Sequence, residues 1–457
     1  MSADGQEPIR RREWIALALA ILIAHLFYWR IVVYPSEFDA REYLNIAADI
    51  ESNGLFHKFP GSDVRTYGYP ALLATLSRAA AVAHVPVGWL VFEAQLALYL
   101  GSAFFLRRRL AALWPSFASW AFVGLALNVF ALSYTPETLT ESVSLSLILL
   151  ASGFWLALAA TPSGCWAVLA GSLAVGAAVM VRPANLFALL AWVVAVTAVC
   201  AARRLRVSAV AAVAMALVVG AMLPMLPQYA NNVRHYGQHT PLVAAPLGHN
   251  QQVWGIAYLK YATALPPVPN PSIFYDNPFA KVGPVDDERP LAWYAQHPRA
   301  GALTLGLHGF NMLDQDLLFT YSRDLDPWYR LPLGFANHAL VAAALIGLAM
   351  LAVTARRDRR YLPAAIAVFA YVAAHLLVHA TSAVEMRFGL PLLLLAGPAA
   401  IAATRELAHT RSRRVCAVAA AAIVVYAAGA LVLSDWVRQQ APSIRAWEAS
   451  HPASLSR

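Results

Sequence analysis

The chain has 457 residues, 60% of them hydrophobic and 13% charged, with a mean hydropathy of +0.55. A soluble domain carries roughly 25% charged residues, so this composition excludes a protein whose surface faces mainly water. The formal net charge of +9 does not point to nucleic acid, because the basic residues fall in short clusters between apolar runs and offer no contiguous aqueous face.

The N-terminus places Arg10, Arg11 and Arg12 before an apolar run from Trp14 to Val33. That run is longer than the apolar core of a cleavable signal and lacks a small-residue cleavage site, so it reads as a retained first helix. Further runs predict spanning helices near 86–106, 117–134, 139–160, 165–181, 184–202, 207–228, 331–354, 361–380, 388–404 and 415–433. With the first run near 14–34, this gives an all-α polytopic membrane protein of about eleven transmembrane helices. The runs are too long and too continuously apolar for barrel strands. With the N-terminus in the cytoplasm, the clusters Arg107–Arg109, Arg203–Arg206, Arg356–Arg360 and Arg411–Arg414 all fall on the cytoplasmic side.

Four segments follow: an N-terminal transmembrane module over 1–230, an outer loop region over 231–330, C-terminal helices over 331–433, and an outer tail over 434–457. Within the first lies an outer loop at 35–86. The 231–330 region is too long for a connector. Its acids and bases nearly cancel, and it reads as a mixed extracytoplasmic cap with a few short helices around 287–320.

In the first outer loop, Tyr43, Ile46, Ala47 and Ile50 recur at helical spacing, with Glu42, Asn45 and Asp49 on another face and Asn53-Gly54 as the stop. This predicts an amphipathic helix along the interface. Asp39 opens it. A carboxylate there serves as a base for an acceptor hydroxyl or holds a divalent cation against a phosphate. The alternative is a capping box of Ser36 with Asp39. Arg65-Thr66-Tyr67-Gly68-Tyr69-Pro70 then forms a turn into an apolar helix. Arg65 is expected near Asp39 in depth, as a phosphate contact or as a snorkelling interfacial Arg.

Farther along, Tyr134-Thr135-Pro136-Glu137-Thr138-Leu139-Thr140-Glu141 makes a tight outer turn. An acid entering a spanning helix is costly unless used or paired, and Glu141 or Glu137 fills that position; the alternative is a Thr138/Glu141 capping box. Arg182, Arg234 and Arg387 reach the same leaflet as Asp39. They either bind a lipid phosphate headgroup, or snorkel and pair with Glu385, Glu141 and Asp39. His375 and His379 share a helix face; a buried polar pair is favoured over a metal pair, since no third ligand is evident. Cys165, Cys200 and Cys416 read as small apolar residues, with no disulfide or metal framework. No phosphate-cradling loop, dinucleotide fingerprint or nucleophile elbow occurs.

This layout resembles the GT-C superfamily of glycosyltransferases, in particular the bacterial relatives of the protein O-mannosyltransferases and of the lipid A aminoarabinose transferase. The likeness rests on Asp39, Tyr43 and Gly54 around the first outer helix, on Gly68-Tyr69-Pro70, on an acid at Glu141, and on the Arg-Pro and Arg-Phe-x-x-Pro surroundings of Arg182 and Arg387. It implies an inverting transfer of a sugar from a polyprenyl-phosphate donor to a glycan, lipid or protein acceptor, outside the plasma membrane of a bacterium. Asp39 and Glu141 would be catalytic, Asp39 also a possible ligand of Mg or Mn. Arg65, Tyr67, Tyr43, Arg182, Arg234 and Arg387 would bind substrate, with Arg387 the preferred phosphate ligand. The partners expected are the lipid-linked donor, the acceptor and membrane lipid. A polysaccharide polymerase or ligase, a lipid-linked glycan flippase and an inactive scaffold are the other readings, and no inverted repeat supports the flippase.

Overall fold

The computed structural model describes residues 9–32, 37–59, 61–160, 164–266, 268, 271–283, 285, 288–409 and 412–450. Ser36, Asp286, Asp287, Arg411 and the residues after 450 lie outside these. Two compact units emerge: one runs to Ala245 and takes in Val353–Ala374, and the other comprises Pro246–Ala352 and the chain from His375.

The first unit holds α1 (Arg11–Val32), α2 (Asp39–Asn53), α3 (Gly68–Ala83), α4 (Val87–Leu113), α5 (Pro115–Ala126), the single turn α6 (Val129–Leu132), α7 (Thr140–Ala160), α8 (Cys165–Val181), α9 (Leu186–Arg203) and α10 (Val207–Tyr236). From Pro246 the second unit builds α11 (Leu247–Ala257), β1 (Tyr258–Ala264), β2 (Ser272–Asp276), α12 (Pro290–Gln296), α13 (Pro298–Leu313), β3 (Tyr321–Ser322) and most of α14 (Arg330–Arg357). The chain runs through α15 (Leu362–His379), which belongs to the first unit as far as Ala374. The second unit ends with α16 (Leu390–His409), α17 (Arg413–Arg438) and α18 (Pro442–Ser450).

Among the described residues, nine helices are long and apolar enough to cross a bilayer, and α5 and α8 are shorter apolar helices. The chain is therefore a multi-pass helical membrane protein. Each apolar run read from the sequence falls on one of these eleven helices, but two depart from the expected form. The run 117–134 is broken. α5 stops at Ala126, and the Asn128 side chain caps α6 by accepting the Ala131 N–H at 3.2 Å. The second run continues past 106 to Leu113, so Arg107 sits inside α4 rather than in a loop. Its Nε donates to Glu13 Oε1 of α1 at 2.9 Å, and its Nη2 to Oε2 at 3.1 Å, in a buried pair.

In the first unit, α8 packs closely against α10 through small residues, with Gly176 against the Ala221 carbonyl and Gly220 against Leu169. In the second unit the expected short helices near 287–320 are α12 and α13. The sequence reading did not foresee the three-stranded sheet, ordered β2-β1-β3. β1 pairs antiparallel with β2, from Thr263 opposite Ser272 to Tyr258 opposite Asp276, and parallel with β3. Leu259, Ile273 and Tyr275 from the sheet bury against Val437, Ala441 and Ile444 around the α17–α18 junction.

Candidate functional site

α2 forms as the periodicity requires: Ala40, Tyr43, Ile46, Ala47 and Ile50 are buried on one face, and Gly54 ends it with φ of 85°, a left-handed value that glycine adopts at no steric cost. Phe38 holds the N-cap position with φ of 49°, a strain of about 1–3 kcal/mol for an aromatic residue. Asp39 follows directly as the first helical residue.

The Arg65 guanidinium spans this helix start. Its Nη2 donates to Asp39 Oδ1 at 2.6 Å and to Glu42 Oε2 at 2.7 Å, and its Nε donates to the same Glu42 oxygen at 2.9 Å. Nη1 lies 3.4 Å from the Tyr43 hydroxyl, and the guanidinium carbon is 5.1 Å from the Tyr43 ring centre. Burial alone would lower the Arg65 pKa, but Tyr43, Asp39 and Glu42 outweigh it and raise it, so the cation persists at every working pH. All three charged side chains remain partly exposed.

Behind this group the Tyr43 ring meets Tyr69 edge-on at 5.2 Å. Tyr69 is fully buried, and its hydroxyl donates to Gln95 Oε1 at 3.2 Å. The Gln95 amide donates to the carbonyls of Thr135 and Glu137, both at 2.8 Å, and so fixes the irregular turn before α7. Burial, then Tyr43, Glu141 and Glu137, raise the Tyr69 pKa well above the ordinary tyrosine value. Glu141, in the first turn of α7, is buried and paired with Arg182 at the end of α8. Non-helical backbone is tolerated at membrane depth only inside protein, and residues 130–146 are all buried. α3 brings Tyr69 here because it starts at Gly68, where a Cβ would meet the Met180 carbonyl oxygen at 2.5 Å. The first loop is anchored to α10, where the Asn231 amide donates to the Leu55 carbonyl at 3.0 Å and the Ser62 and Tyr236 hydroxyls bond.

Asp39, Arg65 and Tyr43 are thus linked through Tyr69 and Gln95 to the turn that leads into Glu141, which pairs with Arg182. Among the described residues this group sets Asp39 and Glu42 against Arg65, and Glu141 against Arg182. Tyr67 is placed elsewhere: its hydroxyl donates to the Pro224 carbonyl, and its ring packs near Val179, Met180 and Met225. Burial pushes its pKa up to about 12. Arg234 is exposed on the last turn of α10. Glu42 and Gln95 were given no role from the sequence, and Tyr69 entered only within the Gly68-Tyr69-Pro70 turn. A Gln inside an apolar run was the available signal for the last.

In the second unit, Arg387 Nε donates to buried Glu385 Oε2 at 2.6 Å. Of the three arginines read from the sequence as phosphate ligands or as partners of nearby acids, Arg182 pairs with Glu141 and Arg387 with Glu385, while Asp39 pairs with Arg65. His375 and His379 are buried with rings 4.5 Å apart. Among the described residues, no three His, Cys, Asp or Glu side chains lie together as a metal-holding group.

A separate buried charge cluster lies in the same unit. Lys260 of β1 is 3.4 Å from both Asp314 and Asp316. Asp314 also contacts His338 of α14 at 3.2 Å and accepts from the Ser434 hydroxyl of α17 at 2.9 Å. Serine and histidine both address the aspartate rather than each other, so this is not a nucleophile triad. Burial would raise the Asp314 carboxyl, but Lys260 and His338 hold it down to about 2. Burial would lower Lys260, and Asp316 and Asp314 raise it.

A scan of protein-family models finds no match to the chain, and a search of curated proteins finds none either.

Proposed function

We propose that this chain is a membrane glycosyltransferase of the GT-C type. It moves a sugar, with inversion, from a polyprenyl-phosphate donor to a glycan, lipid or protein acceptor on the extracytoplasmic side of a bacterial plasma membrane. The observation that carries the reading is a partly exposed carboxylate, Asp39, at the strained head of an amphipathic helix, 2.6 Å from a guanidinium that reaches it from a separate turn. A base and a phosphate-binding cation thereby share one helix start, and the cation leaves the base for the donor phosphate, since attack from the far side puts nucleophile and leaving group on opposite faces of the anomeric carbon.

In this mechanism the donor's phosphodiester meets Arg65, whose planar fork suits a phosphate. Asp39 accepts the proton of the acceptor hydroxyl. The hydroxyl oxygen attacks the anomeric carbon from the far side. The bond from that carbon to the phosphate oxygen breaks, and its electron pair leaves with the lipid phosphate. Tyr43 and Tyr69 form the wall behind the base, and Glu141 with Arg182 holds the α7–α8 side of it. No step is routed through a divalent cation; Arg65 holds one oxygen each of Asp39 and Glu42.

The test is transfer of a labelled lipid-linked sugar in membranes containing Asp39→Asn. A positioned base contributes about 10²–10⁴-fold, and a loss of that size is expected. Wild-type turnover in the variant would remove Asp39 from the mechanism.

A further inference from the structure

α13 carries its polarity inside out. Thr304, His308 and Asn311 recur at helical spacing, and all three are fully buried. They are hydrogen-bonded inward. Asn277 Nδ2 donates to the Thr304 hydroxyl at 3.0 Å, the His308 ring nitrogens face the Ala380 and Tyr258 carbonyls at 2.6 and 3.1 Å, and the Asn311 amide donates to the Leu259 carbonyl at 3.0 Å. The other stripe, Ala302, Leu303 and Gly306, is exposed, and Leu307 and Gly309 beside it are half-buried. Leu303 is 45% exposed, and a Cβ at Gly306 would meet nothing within 4 Å. A helix packed on a core in water turns its polar residues out. This one is built for apolar surroundings.

The contacts of α13 say what those surroundings are. A Cβ at Gly309 would lie 3.9 Å from Leu376, and His308 faces the Ala380 carbonyl, so the middle of α13 abuts the last turn of α15. Leu377, beside Leu376 on that apolar span, is 71% exposed, and the stripe continues its lipid-facing surface. The Asn337 amide of α14 donates to the Leu313 carbonyl at the end of α13. α14 has 28 residues, about 42 Å, so when centred on a hydrocarbon core of about 30 Å it overhangs each face by about 6 Å. Asn337 lies about 10 Å from the start of α14, inside that core. We propose that α13 is seated in the leaflet where α14 begins and α15 ends, with Ala302, Leu303 and Gly306 against the acyl chains of bilayer lipid. At 16 residues, about 24 Å, it enters the leaflet and does not cross. Arg299, its only Asp, Glu, Lys or Arg, opens the exposed stripe and reaches the headgroups. β1, bonded to the polar face of α13 through Tyr258 and Leu259, is thereby held at the membrane surface.

The experiment uses the full-length chain in phosphatidylcholine nanodiscs, in a background of Cys165→Ser, Cys200→Ser and Cys416→Ser. A nitroxide is attached in turn at Ala302→Cys, Leu303→Cys and Gly306→Cys. Leu377→Cys is the lipid reference, and Arg360→Cys, on a fully exposed side chain, is the water reference. Power-saturation EPR compares collisions with oxygen, which concentrates in hydrocarbon, and with a water-soluble nickel chelate. The ratio of oxygen to nickel collisions at the three stripe positions is expected to exceed that at Arg360→Cys several-fold and to match Leu377→Cys. A ratio like that of Arg360→Cys overturns the proposal and returns α13 to water. Poor access to both reagents also overturns it, because a protein partner or a second copy then covers the stripe. A second measurement leaves the chain unchanged: wild type is photolysed in nanodiscs containing phosphatidylcholine with a diazirine in its acyl chain. Lipid adducts within 299–313 are expected, and adducts on α15 with none on α13 overturn the proposal.

Discussion

Glu141 and Arg182 make a pair whose value lies in its burial. The acid is 2% exposed and meets Arg182 directly. Removing one partner takes its countercharge from the other at low dielectric, which typically costs about 3–5 kcal/mol, whereas removing both costs far less. Arg182→Met is therefore expected to lower the melting temperature in detergent sharply, and adding Glu141→Gln should recover part of the loss. A double-mutant cycle of thermal melts measures this, and strict additivity would mean that the pair is not coupled. A second residue-scale prediction concerns His308. Its two ring nitrogens face the carbonyls of Ala380 at 2.6 Å and Tyr258 at 3.1 Å, and a neutral ring has only one N–H to give. Burial nonetheless pushes its pKa below the ordinary value of 6.5, so the unfolded ring binds a proton that the folded ring resists. Stability from this site is complete above pH 6.5 and is lost as pH falls through that value toward the folded one. Melting temperatures of wild type should rise between about pH 5 and 7 more steeply than those of His308→Gln.

At the scale of elements, α3 shows why a short motif carries structural weight. Gly68 is needed because α3 approaches the backbone of α8, so Gly68→Ala must push the helices apart, at a cost of about 1–3 kcal/mol. Gly88, in the first turn of α4, has open space around it, and Gly88→Ala should stay within about 0.5 kcal/mol of wild type. Chemical unfolding of the two variants in parallel distinguishes a packing cost from a generic glycine effect. α2 was legible in advance because its buried positions repeat at the helical period and Asn53-Gly54 stops it. The break at Asn128 was not read, although Asn is a favoured cap, because the apolar run continues through it into α6. β1 escaped because Tyr258–Ala264 lacks clean alternation, with Leu259 and Lys260 both buried in succession. The Arg65 bond to Asp39 was foreseen only as a shared depth. Its stronger attachment to Glu42 crosses 23 residues, and a side-chain choice between two acids three apart leaves no mark on the periodicity.

For the whole molecule, the proposed topology turns on the two short helices. α5 has 12 residues, an axial length of about 18 Å, too little to cross a hydrocarbon core of about 30 Å alone. Crossing there requires the broken α5–α6 pair to act as one span, which is tolerated because the segment that follows is buried in protein. α8 has 17 residues, about 26 Å, enough if its ends are polar and snorkelling. With both counted as spans and the N-terminus inside, Cys165, Cys200 and Cys416 all fall at cytoplasmic helix ends, while Arg234 falls outside on the same face as Asp39. A membrane-impermeant maleimide applied to intact spheroplasts is therefore expected to leave the wild-type chain unlabelled and to label Arg234→Cys. Permeabilised cells should then show labelling at Cys165, the exposed cysteine of the three. If the α5–α6 segment dips in and returns without crossing, the sidedness of every later loop inverts. Cys165 would then react from outside, and Glu141 and Arg182 would be removed from the face that carries Asp39. A silent Cys165 together with a labelled Arg234→Cys would put Asp39, Glu141 and Arg182 on one side of the membrane, as the proposed site requires.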